Sequence, residues 1–287
     1  MTHTTPPTSF QVIDLPGETG ITIRVLDWGG DGPPVVLLHP NGFCGGLYEP
    51  IAHVLAPAVR PIAIDLRGHG ASTAPDHPGA YRFENLALDV LAVLDHLDLT
   101  TAAGVGGSLG GAVAVLVDRL DPQRWTRLLL AEPVAFPTDA FPHQGENPMA
   151  AAARRRRQTF ASRSEMTANY RSKEPLSQLA PEALDAYIRW GTTIDAAGVH
   201  LACRPEIEAA IYEISAAAAG AIDAWNHLPN LSCPSTILAG EHTFLPDVFA
   251  AQADRARADL ITVPGGHFVL HENTTRGADL IATNALR

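Results

Sequence analysis

Three residues, far apart in the chain, have the types and settings needed for nucleophilic catalysis. Ser108 stands in Val105-Gly-Gly-Ser-Leu-Gly-Gly111, between an apolar run ending near Val105 and the helix-like Ala112 to Asp118. The stretch fits G-x-S-x-G, in which a strand turns sharply into a helix and leaves a serine Oγ at the apex. Such a turn strains the serine and brings strand and helix almost into contact, so glycines are required two residues to either side. Gly106 and Gly110 occupy those positions. A serine hydroxyl is a weak nucleophile until an imidazole takes its proton, and the imidazole needs a carboxylate to fix its tautomer and stabilise its cation. His267, on a loop with Gly265 and Gly266, is the candidate base. Glu132, followed by Pro133, is the leading candidate acid, and Glu241 is the next. A phosphate-cradling loop fits less well. From Gly104 the G-x-G-x-x-G register places Leu109 where the third glycine belongs, and no Gly-Lys-Ser/Thr follows. His267 and His271 share an i,i+4 spacing but lack H-E-x-x-H, so zinc is not expected.

These side chains need a scaffold that carries them to one place. Phe10 to Leu15 and Ile21 to Trp28 alternate like an antiparallel pair. Pro34 to Leu38, Arg60 to Ile64, Ala102 to Gly106 and Arg127 to Ala131 are short apolar runs, as expected of strands covered on both faces. Helical patterns separate them: Gly46 to Ala56, Phe83 to Leu97 with Leu86, Val90, Leu91, Leu94 and Leu97 on one stripe, and Leu109 to Leu120. The rhythm stops after Glu132-Pro133. Helical patterns at Ala150 to Phe160, Pro181 to Trp190 and Pro205 to Ala219 follow, before strands return at Ser235 to Ala239 and Leu260 to Val263. Alternating strands and helices predict a doubly wound α/β sheet, mostly parallel, with a helical insertion. Glu132 then falls at the end of a strand, where an ionised carboxylate is costly to desolvate unless it has a use. The Leu109 N–H, at a helix N-terminus directly after the serine, is a candidate oxyanion donor.

Four motifs now stand in order: His39-Pro-Asn-Gly-Phe43, Asp65-Leu-Arg-Gly-His-Gly70, Gly106-Gly-Ser-Leu-Gly110 and Gly265-Gly-His267. With them the sequence resembles the α/β-hydrolase fold family over nearly the whole chain outside residues 134–228. The resemblance implies an eight-stranded sheet in a core of residues 1–133 and 229–287, with residues 134–228 as a helical cap. It implies Ser108 as nucleophile and His267 as base. It also implies a second oxyanion N–H from the loop after the third strand, mapping to Phe43, with Asn41 able to substitute and Pro40 unable to donate. The chain departs from the family where an aspartate is common after the seventh strand, since Gly240-Glu-His-Thr243 has threonine there. Some branches, including haloalkane dehalogenases and certain lactone hydrolases, take their acid from the position of Glu132. Asn41 and Trp190 are the expected substrate contacts, and Tyr170, Tyr187 and Tyr212 are further aromatic residues of the cap. His69 reads as a structural turn residue.

Composition narrows the partners. The 287 residues are 46% hydrophobic and 18% charged, as in an ordinary globular protein, and the net charge of −11 disfavours phosphate backbones and anionic lipid surfaces. Arg154 to Arg157 is the one basic cluster, and four consecutive residues point all round a helix, so a locally paired or solvated face is expected. Three scattered cysteines, Cys44, Cys203 and Cys233, suit a reducing compartment. Met1 to Ser9 has neither a basic n-region nor an apolar h-region and reads as a short frayed start. The expectation is a cytoplasmic, cofactor-free serine hydrolase acting on a small-molecule ester or lactone, with no nucleic-acid or membrane partner. The sequence allows a homodimer without demanding one. C–C bond hydrolases and cofactor-free perhydrolases share the same triad and stay open, as does a non-catalytic binding protein on the same fold.

Overall fold

The computed structural model describes residues 11–17, 20–137, 147–216 and 218–286; the expected frayed start and most of the proline-rich stretch after Glu132 lie outside these. The main sheet has eight strands: β1 (Gln11–Pro16), β2 (Thr22–Asp27), β3 (Pro34–Leu38), β4 (Arg60–Ile64), β5 (Ala102–Gly107), β6 (Trp125–Ala131), and then β10 (Ser235–Gly240) and β11 (Asp259–Val263), numbered after three strands of the insertion. They lie in the order β1-β2-β4-β3-β5-β6-β10-β11. The first two pairings are antiparallel and the rest parallel.

Helices cover both faces, so successive apolar residues of one strand enter different cores. Val36 and Leu38 pack with Leu86, Val90 and Leu94 of α2 (Phe83–His96) and Val113 and Leu116 of α3 (Leu109–Leu120). Val35 and Leu37 pack on the other face with Ile51 and Leu55 of α1 (Glu49–Leu55) and Ile281 of α10 (Thr274–Asn284). The helix expected from Gly46 is shorter than its pattern: Gly45–Tyr48 forms a 3-10 turn before α1 begins.

Between β6 and β10 the chain leaves the sheet. It forms α4 (Pro148–Arg154), α5 (Arg163–Arg171), α6 (Pro181–Trp190), α7 (Pro205–Ser215) and α8 (Asp223–His227), while α9 (Pro246–Ala256) follows β10. Proline opens four of these helices, α4, α6, α7 and α9, at the first position, where its missing N–H costs nothing. The insertion is not wholly helical, as its pattern suggested. β7 (Thr159–Phe160), β8 (Thr192–Asp195) and β9 (Gly198–Leu201) form a small antiparallel sheet in the order β7-β9-β8, so the helix expected through Phe160 ends at Arg154. The insertion has its own apolar cluster, including Phe160, Met166, Leu184, Tyr187 and Val199, and this cluster extends to Phe43 and Phe268 of the sheet domain.

Candidate active site

The strand order creates the site. From β3 the chain crosses to β4 on one side and returns as β5 on the other, and the crevice at the carboxyl ends of such a pair is where open α/β sheets hold ligands. Leu38 pairs with Gly106 and Gly107 with Ala131, so the loops after β3, β5 and β6 emerge side by side. Ser108 begins the turn into α3 at φ 53° and ψ −114°, a sparsely populated conformation for a residue with a Cβ. Residues 102–118 are buried except Ser108, and its hydroxyl makes no capping bond to α3. The flanking glycines are obligatory on steric grounds. A Cβ on Gly106 would lie 2.4 Å from the Gly110 carbonyl oxygen, and one on Gly110 would lie 2.1 Å from that of Leu38.

Glu132 follows β6 at φ 46°, fully buried. Its Oε2 lies 2.7 Å from His267 Nδ1, and its Oε1 accepts the Gly240 N–H at 2.9 Å. His267 arrives from the far edge of the sheet, after β11, and its loop crosses the end of β10. A Cβ on Gly240 would meet the Gly265 and Gly266 carbonyls at 2.5 and 2.4 Å, so glycine there makes the crossing possible. Glu272 grips the same loop, accepting the N–H groups of Gly266 at 2.8 Å and Phe268 at 3.1 Å. Nothing in its sequence setting singled Glu272 out. Glu241 is exposed at the start of the turn after β10, away from the imidazole's bonded nitrogen, and Thr243 turns back to the Gly240 carbonyl. Phe244, largely exposed, places its ring 5.9 Å from that of His267.

The loop after β3 is held by two buried neutral histidines. His39 Nδ1 donates to the Pro40 carbonyl at 2.8 Å and Nε2 accepts the Leu66 N–H at 3.0 Å; burial, then the nearby His69, pushes its pKa well down. His69 Nδ1 donates to the Arg67 carbonyl at 3.1 Å and Nε2 accepts the Gly42 N–H at 3.1 Å; burial brings its pKa down to about 4. Asp65 adds bonds from the Gly45 and Ala71 N–H groups. The His-Pro-Asn-Gly-Phe and Asp-Leu-Arg-Gly-His-Gly motifs therefore form one bonded unit.

This unit alters the expectation for the second oxyanion donor. The Phe43 N–H is engaged by the Pro40 carbonyl at 3.2 Å, closing a turn, and its ring packs 5.1 Å from Phe268 and 4.7 Å from Tyr187. Among the described residues the Asn41 and Leu109 N–H groups meet no acceptor. The Asn41 side chain is buried and donates to the Glu208 carbonyl at 3.1 Å. Trp190 is not brought to this group of residues. Its indole lies on Gly46, where a Cβ would come within 2.2 Å of the ring, and its N–H donates to Glu49 at 3.2 Å, in the seam between the insertion and α1. The arginine cluster is locally paired: Arg154 meets Glu206 and Glu213, Arg156 meets Glu208, and Arg157 meets Glu165.

Comparison with known proteins bears on the family and the fold. The family described as "Alpha/beta hydrolase family" matches residues 35–280. Poly(3-hydroxyalkanoate) depolymerase of Ectopseudomonas oleovorans is 35% identical over 129 residues, covering 45% of this chain and 44% of that protein. The 3-oxoadipate enol-lactonase 2 of Acinetobacter baylyi is 39% identical over 74 residues, 26% of this chain and 27% of that one. A 41% identical stretch of 121 residues, 40% of this chain, covers 32% of the dihydrolipoyllysine-residue acetyltransferase component of the acetoin cleaving system of Pseudomonas putida. The chain thus spans less than half the length of each of these relatives. Among solved structures, E-2-(acetamidomethylene)succinate hydrolase superposes with a TM-score of 0.80 at 20% identity, over 97% of this chain and all of that one, a likeness of fold. Among the described residues no helix is long and apolar enough to cross a membrane.

Proposed function

Since the chain belongs to the alpha/beta hydrolase family, we propose that it is a serine hydrolase that cleaves a carboxylic ester or lactone through an acyl-enzyme, with Ser108, His267 and Glu132 as its triad. The observation that carries this reading is the fully buried Glu132 carboxylate 2.7 Å from His267 Nδ1, at the strand end beside the strained Ser108. With Nδ1–H donated to Glu132, Nε2 is left as the basic nitrogen. It takes the Ser108 proton as Oγ attacks the carbonyl, and returns it to the leaving alkoxide; water then repeats the sequence on the acyl-enzyme. The oxyanion is bound by the N–H groups of Leu109 and Asn41, the first aided by the N-terminus of α3.

The named activities of the depolymerase and the enol-lactonase support an ester or lactone as substrate. A carboxylate-nucleophile mechanism, as in epoxide hydrolases, finds serine at the required position. A pure binding role would leave a buried carboxylate and a strained serine without a use. C–C bond hydrolysis and perhydrolysis use the same groups and are separated by substrate. Residues 134–228 act as the cap, supported by the packing of their apolar cluster on Phe43 and Phe268. The three free cysteines favour a reducing compartment, the cytoplasm.

The test is labelling with a fluorophosphonate, together with hydrolysis of short esters, long-chain esters and lactones of several ring sizes. Wild type should be labelled at Ser108. Ser108→Ala should be folded, unlabelled and at least about a thousandfold slower, since a triad nucleophile has no substitute. A folded Ala variant that retains near wild-type turnover would sink the serine mechanism.

A further inference from the structure

The loop that supplies the Asn41 N–H is held by His39 and His69 on one side and by the insertion on the other. Tyr187, in α6, donates its hydroxyl proton to the Gly42 carbonyl at 3.0 Å. That direction is forced, because the same oxygen faces Arg156 Nη2 at 3.1 Å and a guanidinium can only donate. The other guanidinium arm of Arg156 binds the Glu208 carboxylate, itself nearly buried, and Nη2 also reaches the Tyr170 hydroxyl at 3.2 Å. Glu208 closes the circuit with its main-chain carbonyl, which accepts the Asn41 side-chain N–H at 3.1 Å. Gly42 makes room for the assembly: its φ is +79°, and a Cβ there would lie 2.9 Å from both Arg156 Nη1 and the Glu208 carboxylate.

Each bond limits the motion of the Asn41 peptide. The Pro40 carbonyl is held by the His39 ring and the Phe43 N–H, and because a trans peptide is planar this points the Asn41 N–H the opposite way. The next residue is held on both of its peptides, with the Gly42 N–H on His69 and the Gly42 carbonyl on Tyr187. A plain staple between insertion and sheet would need none of this selectivity for one turn. Resting on the serine-hydrolase reading above, we infer that Tyr187, with Arg156 and Glu208, is a positioning residue for the oxyanion hole, through which the insertion holds the Asn41 N–H in its productive direction. Its influence falls on transition-state stabilisation, where charge develops on the substrate oxygen, and little on ground-state binding.

The experiment uses the full chain, p-nitrophenyl acetate as substrate and a fluorophosphonate as active-site titrant. Tyr187→Phe deletes one hydroxyl and keeps the ring. It should lower kcat by about tenfold, a fraction of the roughly 10²–10³ that loss of a whole oxyanion donor brings. KM should stay within about twofold, the pH profile should be unchanged, and melting should shift by only a few degrees. Arg156→Met should show the same kcat loss, and Arg156→Lys should recover part of it by keeping a donor and the charge. If Tyr187→Phe does not fold, the two Arg156 variants carry the comparison alone. Folded variants with wild-type kcat, or with losses confined to melting temperature or KM, overturn the inference. An unlabelled, inactive wild type would instead bring down the serine-hydrolase reading, whereas a labelled wild type beside an unaffected Tyr187→Phe refutes only the positioning role.

Discussion

Glu132 combines three unusual properties for one residue: a left-handed backbone at φ 46°, complete burial, and both carboxylate oxygens engaged. This makes the effect of an amide specific to the structure. The Gly240 N–H requires an oxygen, so the NH₂ of Glu132→Gln must face His267 Nδ1. Nδ1 then becomes the acceptor, Nε2 keeps the proton, and the ring cannot deprotonate Ser108. We expect kcat to fall about 10³–10⁴-fold with the circular dichroism spectrum retained, while Glu241→Gln stays within about threefold, since that side chain is exposed. The reverse pattern would assign the acid to Glu241. The nearness of Glu132 to His267 was legible in the sequence because a carboxylate at the end of an apolar strand needs a partner. The engagement of the Phe43 N–H was not, because a turn closed by a proline carbonyl leaves no side-chain signature. The supports from Glu272 and Glu208 were equally silent, and Tyr187 was legible only as an aromatic residue of the cap.

Elements that run through the core were the easiest to read. β3, β4, β5 and β6 are apolar runs too short for helices, and α2 and α3 show their buried faces in their spacing. The small sheet of the insertion escaped because its strands are two to four residues long, and Thr192-Thr-Ile-Asp195 has a polar, largely exposed pattern like that of a loop. At this scale the elbow makes the clearest demand. Gly110→Ala would drive a methyl group to 2.1 Å from the Leu38 carbonyl oxygen, and both partners are backbone, so neither can rotate away. We expect a loss of roughly 3 kcal/mol or more, comparable to severe overpacking of a core, read as a lower urea midpoint or as insoluble protein. Wild-type stability in this variant would mean that the start of α3 does not touch the end of β3.

For the molecule as a whole, the buried histidines set the response to acid. Burial lowers the pKa of His69 to about 4 and of His271 to about 3, and His39 is also well below the ordinary 6.5. Below 6.5 the unfolded chain therefore binds protons that the folded chain refuses, and stability falls with pH until the folded values are reached. Asp65 works the other way: burial raises it to about 6, so it adds stability as pH falls from 6 toward 4. With three groups against one, the net effect is a stability that falls as pH drops below 6.5. Urea midpoints should be clearly lower at pH 5 than at pH 7.5, and equal midpoints would mean that these rings are solvated or charged in the fold.

The crossing of the His267 loop over the end of β10 also orders events in time. Ser108 and Glu132 leave adjacent central strands, but the imidazole bonded to Glu132 is 135 residues beyond it, on the loop after the last strand. During synthesis, a nascent chain lays down the proposed nucleophile and acid well before the proposed base. On the triad reading, a chain made only as far as β10 carries two of the three proposed members and still lacks the third.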